Sequence, residues 1–478
     1  MVKTLCLGAA LLGLLDGCSL APPMSTPEIP VAGAYKELGV WTQAQPSDRL
    51  PRDSWWTLYE TPELNDLEKR LLAGNPSLAA ALANYAQAKA LGDQARAGLF
   101  PTIALNAGVS RARESVNAPL ISLATPRYYD DNVLGGSVSY ELDLWGQIRN
   151  QVAAGRASEQ ASAADLESAR LSLLAQLVED YVQLRSFDRQ TSILDETVQA
   201  YDHALRITQQ RHGAGIAGGL DVSQAQTQFR SARSQLDQIR AQRALMEHAI
   251  AALLGASASS FSIAPAIVDI KLPAVPAAVP ATLLERRPDV AAAQRRMIAA
   301  NANVGVARAA YFPSIMLGGQ GGVQSTSFSN WLSLPSTYWA IGPNAVLSLL
   351  DGGLRRAQVA QARAQFDASA DNYREIAVAA FQQVEDGLAL LHHYHDAADE
   401  EKAAIDAAQR TLDLSLTLYK QGAAEYLNVV TAQTALLQAQ LQALSLDTMQ
   451  LTASVDLIRA LGGGWEDPQR VAAIRRPP

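Results

Sequence analysis

The chain repeats itself, and this restricts its fold more than any other feature. Residues 76–103 and 288–315 align at an offset of 212 with 12 identities in 28 positions. Alanine richness inflates such a count, but Arg96 with Arg308 and Phe100-Pro101 with Phe312-Pro313 are not compositional matches. Further on the offset is 206: Gln176, Val178, Glu179 and Asp180 match Gln382, Val384, Glu385 and Asp386, and Gly146 and Arg149 match Gly352 and Arg355. It then becomes 207, pairing Ala225-Gln226-Thr227 with Ala432-Gln433-Thr434 and Leu254-Gly255 with Leu461-Gly462. The drift falls between matched blocks, where loop lengths differ. One unit of about 200 residues has been duplicated.

Each copy reads helix, strand, loop, strand, long helix, return helix. In repeat 1 (61–265), Ile103, Leu105, Ala107 and Val109 alternate with Thr102, Ala104, Asn106, Gly108 and Ser110. Period two marks a strand with one apolar and one polar face. Strands are expected at about 102–111 and 132–143, with a polar loop over 111–131. Repeat 2 (266–464) has a helix at about 288–310 and strands at about 314–325 and 337–348, with Pro343 suggesting an edge or a bulge. After each second strand proline disappears, over 127–264 and again over 344–467, and the only glycines in 147–212 and 354–421 are Gly155 and Gly387. Long helices are expected at about 147–212 and 354–421, each roughly 100 Å long at 1.5 Å per residue. Leu174, Leu177, Tyr181 and Leu184 have the three-four spacing of packed helices. Turns at 213–219 and 422–425 lead into return helices at about 219–254 and 426–461. The fold class is therefore mainly α with a small β part. The strands are about ten residues long and weakly apolar, as membrane-barrel strands are.

The first residues read as an export signal: a basic start, an apolar run from Leu5 to Leu15, then Gly17-Cys18. This resembles a bacterial lipobox, with a signal peptide at 1–17 and lipidation of Cys18, although Asp16 stands where that class has a small or apolar residue. Both cysteines, Cys6 and Cys18, lie in this region, which excludes a disulfide framework and a cysteine zinc site. Residues 18–60 form a lipid anchor and extended tether, carrying six of the 22 prolines within 22–51. A tail covers 465–478. The net charge of −8 gives no pull toward nucleic acid.

The motifs are Trp55-Trp56 before Leu64-Asn65-Asp66-Leu67; Leu283-Leu284-Glu285-Arg286-Arg287-Pro288-Asp289-Val290; Tyr311-Phe312-Pro313-Ser314-Ile315; Asp143-Leu144-Trp145-Gly146; and Gly422 with Tyr426-Leu427-Asn428-Val429. In this order along a duplicated chain they resemble the TolC-type outer-membrane factors, in the lipoprotein branch of OprM/NodT-like efflux proteins. The resemblance implies a homotrimer, with a 12-stranded outer-membrane β-barrel continued by a periplasmic α-helical barrel. It also implies an exit duct of a tripartite efflux system in a Gram-negative cell, lipid-anchored in the outer membrane. The partners it implies are a periplasmic adaptor (membrane fusion protein) and an inner-membrane pump of the resistance-nodulation-division class. Physics supports sharing: four strands cannot close a barrel, and lipid forbids open edges. The alternative is a periplasmic coiled-coil scaffold or adaptor lipoprotein without a channel.

No enzyme is expected, and no cofactor beyond the covalent lipid on Cys18. No nucleotide-binding loop occurs. His392 and His395 lie three apart on one helix face, but a solvated surface is the favoured reading, and no metal site is expected. Glu179-Asp180 and Glu385-Asp386 recur mid-helix without a partner nucleophile, which favours a structural or lumen-facing role over catalysis. The resemblance places adaptor contacts at the turns, on Arg211, Gly215, Leu220, Asp221, Gly422, Tyr426, Leu427 and Asn428. The family's acidic residue of the second turn stands here as Ala424, with Glu425 beside it as the candidate gate acid.

Overall fold

The structure is a computed structural model that describes residues 19–29, 35–36, 54–115, 117, 127–273 and 287–463. Cys18, the signal at 1–17, most of the tether, the stretch 283–286 and the tail at 465–478 lie outside the described residues. In chain order come α1 (Pro62–Gly74), α2 (Pro76–Ala97), β1 (Thr102–Arg113), β2 (Tyr128–Glu141), α3 (Gln147–Gly213) and α4 (Gly219–Leu253). There follow α5 (Pro288–Ala309), β3 (Ser314–Ser325), β4 (Thr337–Val346), α6 (Leu354–Lys420) and α7 (Tyr426–Ala460).

The duplication is visible in element lengths. Helices α2 and α5 have 22 residues each, α3 and α6 have 67, and α4 and α7 have 35. Glycines in left-handed backbone also pair between the copies: Gly146 with Gly352, Gly215 with Gly422, and Gly255 with Gly462. Each closes or opens a long helix where a Cβ would be strained.

The chain divides into two compact units. The first takes residues 1–27, 85–162 and 293–373 and holds an antiparallel sheet in the order β1-β2-β3-β4. The copies meet at its centre, where β2 pairs with β3. Pro343 lies on β4, an edge strand, opposite Leu317, where a residue with no N–H is tolerated.

Several strand limits differ from expectation, and β4 stops at Val346 rather than about 348. The ladder continues through Arg111↔Asp130 to Arg113↔Tyr128, so the loop expected over 111–131 is shorter. Charged Arg111, Arg113 and Asp130 interrupt the apolar alternation, yet side chains meet across the strands: Arg111 is 3.8 Å from Asp130, and the Arg113 guanidinium sits 5.4 Å from the Tyr128 ring centroid. Strand β2 stops at Glu141 rather than about 143 because Asp143 caps the next helix. Its carboxylate accepts the Ile148 and Arg149 N–H groups at 3.1 and 2.9 Å. In copy two, Asp351 accepts Gly353 and Arg355 N–H at 3.0 and 3.3 Å. The hydrogen bond from Arg355 holds the Asp351 carboxyl below its ordinary range.

Both mid-helix glycines mark close crossings. A Cβ on Gly155 would lie 3.3 Å from Ala95 Cβ and 3.4 Å from Gly92 Cα, and one on Gly387 would lie 3.2 Å from Leu457 Cβ.

The second unit takes residues 28–84, 163–292 and 374–478. Its core includes Trp55, Tyr59, Leu64, Leu71, Leu177, Tyr181 and Leu184. Trp55 meets Trp56 and Tyr59 edge-on at 6.2 and 6.4 Å, and the Tyr59 hydroxyl is 2.8 Å from Ser454 Oγ. A polar knot is buried beside them. The Asp188 carboxylate accepts Arg185 at 2.7 Å, Arg243 at 2.8 Å and the Ala266 N–H at 3.2 Å, and Arg185 also reaches Glu63. Removing one member of a buried charge group strands the others. Asp188→Ala is therefore expected to destabilise the protein by about 3 kcal/mol, read as a lowered thermal midpoint in detergent. An unchanged midpoint would show that the knot contributes little.

Candidate functional site

The sheet has two chemically distinct faces. Residues directly opposite across a ladder share a face, so the pairing assembles rows. One face carries the row Ile103, Val138, Gly319, Ile341 and the row Leu105, Gly136, Gly321, Trp339. The other carries Thr102, Ser139, Gly318, Gly342, then Ala104, Ser137, Gln320, Ala340, then Asn106, Gly135, Gly322, Tyr338. The apolar face is bare: Ile103 is 80% exposed, Leu105 78%, Trp339 79% and Ile341 72%. An uncovered apolar surface of this kind marks contact with lipid or another chain.

On the polar face the tip of the Tyr338 ring lies over Gly135, and Gly322 is crowded by the β2 backbone. A Cβ on Gly135 would fall 2.4 Å from the Tyr338 hydroxyl, and one on Gly322 would strike Leu134 O at 2.2 Å. Sequence reasoning overlooked Tyr338. The signal was the run of paired glycines, Gly135-Gly136, Gly318-Gly319 and Gly321-Gly322, which leaves the wall bare for an aromatic to cover.

Below the strands, Trp145 stacks on Phe312 at 4.7 Å and donates to Pro313 O at 2.8 Å. Arg355 lies 5.5 Å from the Tyr311 ring centroid. The segment that begins at Ser19 is pinned within this unit. Ser19 Oγ donates to Asn150 at 2.9 Å, Asn301 to Pro22 O at 3.0 Å and Arg308 to Leu20 O at 3.2 Å.

In the second unit the two inter-helix turns form a joined pair. The first turn is closed by Ile216 N–H on Arg211 O at 2.8 Å and Gly215 N–H on His212 O at 2.9 Å. The second is closed by Ala423 N–H on Leu418 O at 2.9 Å and Gly422 N–H on Tyr419 O at 3.0 Å. The Arg211 guanidinium sits 4.9 Å from the Tyr419 ring centroid, and Tyr419 and Tyr426 approach to 5.2 Å. Leu205, Ala225, Tyr419, Tyr426 and Val429 pack as one core. Burial pushes the Tyr426 hydroxyl up to about 12.

Gly215, Leu220, Gly422, Glu425, Leu427 and Asn428 are exposed, and Arg211 and Asp221 are partly covered. Tyr426 is only 2% exposed and forms the seam between the two turns. Glu425 is the N-cap residue of α7, and its side chain makes no capping hydrogen bond. Its exposed carboxylate stands at a helix N-terminus, where a negative charge is favoured. The two Glu-Asp pairs differ. Glu179 is pushed up to about 7, first by burial and then by Asp456, whereas Glu385 accepts the Lys36 N–H at 2.8 Å.

The family model described as outer membrane efflux protein matches residues 67–256 and 279–463, one stretch in each copy. The chain is 31% identical over 468 residues to the probable efflux pump outer membrane protein TtgC of Pseudomonas putida, covering 97% of this chain and 96% of that protein. It is 30% identical over 465 residues to the pyoverdine export outer membrane protein OpmQ of Pseudomonas aeruginosa, covering 96% and 98%. The solved outer-membrane channel OprN superposes with a TM-score of 0.88 at 27% identity, covering 94% of this chain and 100% of that one.

Proposed function

The chain belongs to the outer membrane efflux protein family, and from that premise we propose that three copies close one 12-stranded barrel and form the exit duct of a tripartite export machine. The observation that carries this reading is, among the described residues, a four-stranded sheet with two unpaired edges, β1 and β4, and a bare apolar face. Edge strands cannot remain open in lipid. Copies joined β4 to β1 around a ring leave no edge, with the apolar rows toward lipid and the Thr102, Gln320 and Tyr338 rows toward a wet bore.

The duct hydrolyses nothing. An inner-membrane pump, of the resistance-nodulation-division class, supplies the energy, and a periplasmic adaptor docks on the exposed turn residues Gly215, Leu220, Gly422, Leu427 and Asn428, with Arg211 and Asp221 beside them. Tyr426 acts there by holding the two turns together. A lipid on Cys18 tethers each copy, and the pinning of residues 19–22 in the unit that carries the sheet supports this anchor. Images of the detergent-extracted protein are expected to show three chains around a hollow axis. A monomer with no axial channel would overturn the assembly and favour the scaffold reading.

Three copies of Glu425 around the opening would make an acidic ring that draws cations. Glu425→Gln is expected to change cation block or single-channel conductance by about twofold. Identical currents in planar bilayers would remove Glu425 from the gate.

A further inference from the structure

We propose that one turn of α6 binds a divalent transition-metal ion of the imidazole-preferring class, such as Zn²⁺, through His392, His393 and Asp396. One ligand atom from each of the three lies within 4.8 Å of the others. His392 and Asp396 are one helical turn apart and so share a face, with Nε2 3.9 Å from the carboxylate oxygen. The His393 ring sits beside that of His392, with centroids 5.1 Å apart. Ligand bonds of about 2.0–2.2 Å set tetrahedral ligand atoms roughly 3.3 Å apart. Closing onto an ion thus takes a shift of about 1.5 Å, and His393 and Asp396 are exposed and free to rotate.

The anchor of the set is His392. It is half-buried, and its Nδ1 is enclosed without a hydrogen-bond partner among the described residues. That leaves Nε2, the nitrogen turned toward Asp396, as the atom offered to an ion. The next His-Asp pair on the helix is otherwise engaged: His395 lies 4.0 Å from Asp399, and Asp399 is held by Lys402 at 3.1 Å. The ligand set is therefore His392, His393 and Asp396, not the His392 and His395 pair that sequence spacing alone brings forward. With Asp399 offset by Lys402, Asp396, Glu400 and Glu401 still leave the stretch negative, which raises the local cation concentration. Two imidazoles select against Mg²⁺ and Ca²⁺, which prefer all-oxygen ligands.

The test is calorimetric titration of the chelator-stripped, full-length protein in detergent with Zn²⁺ and, separately, with Mg²⁺. One Zn²⁺ per chain is expected, with no heat from Mg²⁺. The His392→Ala/His393→Ala variant should bind Zn²⁺ at least about tenfold more weakly, while His203→Ala/His248→Ala binds as the parent does. Equal binding by parent and His392→Ala/His393→Ala, or no binding by the parent, would overturn the proposal. If the double variant fails to assemble, Asp396→Asn gives the same readout at an exposed carboxylate, and undiminished affinity there would remove Asp396 from the set.

Discussion

Leu105→Arg is expected to strip the protein from the outer membrane, while Asn106→Arg, one residue along, leaves it there. The two positions are neighbours on β1 and point to opposite faces. Leu105 shares its row with Gly136, Gly321 and Trp339, and Asn106 shares its row with Gly135, Gly322 and Tyr338. A guanidinium on the lipid face of a membrane barrel costs up to about 2–4 kcal/mol, the full amount at the midplane. Three copies multiply that to as much as about 6–12 kcal/mol per assembly, enough to abolish insertion. An arginine on the wet face remains hydrated. The check is the amount of each variant in purified outer membranes beside the parent. Equal loss of both, or loss of Asn106→Arg alone, would mean that the faces have been assigned the wrong way round or that the sheet does not span lipid.

The second large effect concerns a carboxyl that has no evident reason to be buried. Glu68 lies on the inward stripe of α1 with Leu64, Leu67 and Leu71. It is 0% exposed, and neither carboxylate oxygen has a hydrogen-bond partner among the described residues. Burial pushes it up to about 9. The folded protein thus holds this proton more tightly than the unfolded chain does. The associated stability is complete below about pH 4.5 and is lost as pH rises toward 9. At about 1.4 kcal/mol per pH unit the loss reaches roughly 3 kcal/mol by neutral pH. Glu68→Gln removes the titration and keeps the shape. Its thermal midpoint should gain on the parent steadily between pH 5 and 9. Glu179, raised for the same leading reason, remains in both proteins, so the difference between the two curves isolates Glu68. Parallel curves would mean that the Glu68 carboxyl does not titrate in this window.

Glu68 also shows where sequence reading stops. It precedes Lys69 and Arg70, so the local composition reads as a solvated surface, and only the packing of α1 shows that it faces inward. The repeat, the strand pairs and the long helices were legible because they rest on local signals: identities at a fixed offset, period-two alternation, and the absence of proline. The β2–β3 junction was not, since it joins residues some 190 positions apart, such as Asn132 and Ser325, and nothing local encodes a partner. The turns could be found from Gly215 and Gly422. The seating of Tyr426 between them, and of Arg211 over Tyr419, depended on which helix faces meet, and a chain packed through alanine on several sides leaves that choice open.

The equal lengths of α3 and α6 limit how this gene can change. One inserted residue turns all that follows it by about 100° and advances it by 1.5 Å. A lone insertion in one helix would throw its buried stripe out of phase with neighbours that had not moved. Tolerated length changes should therefore arrive as whole numbers of helical turns, and in both halves of the gene at corresponding places. Single point replacements, by contrast, can accumulate in either half alone.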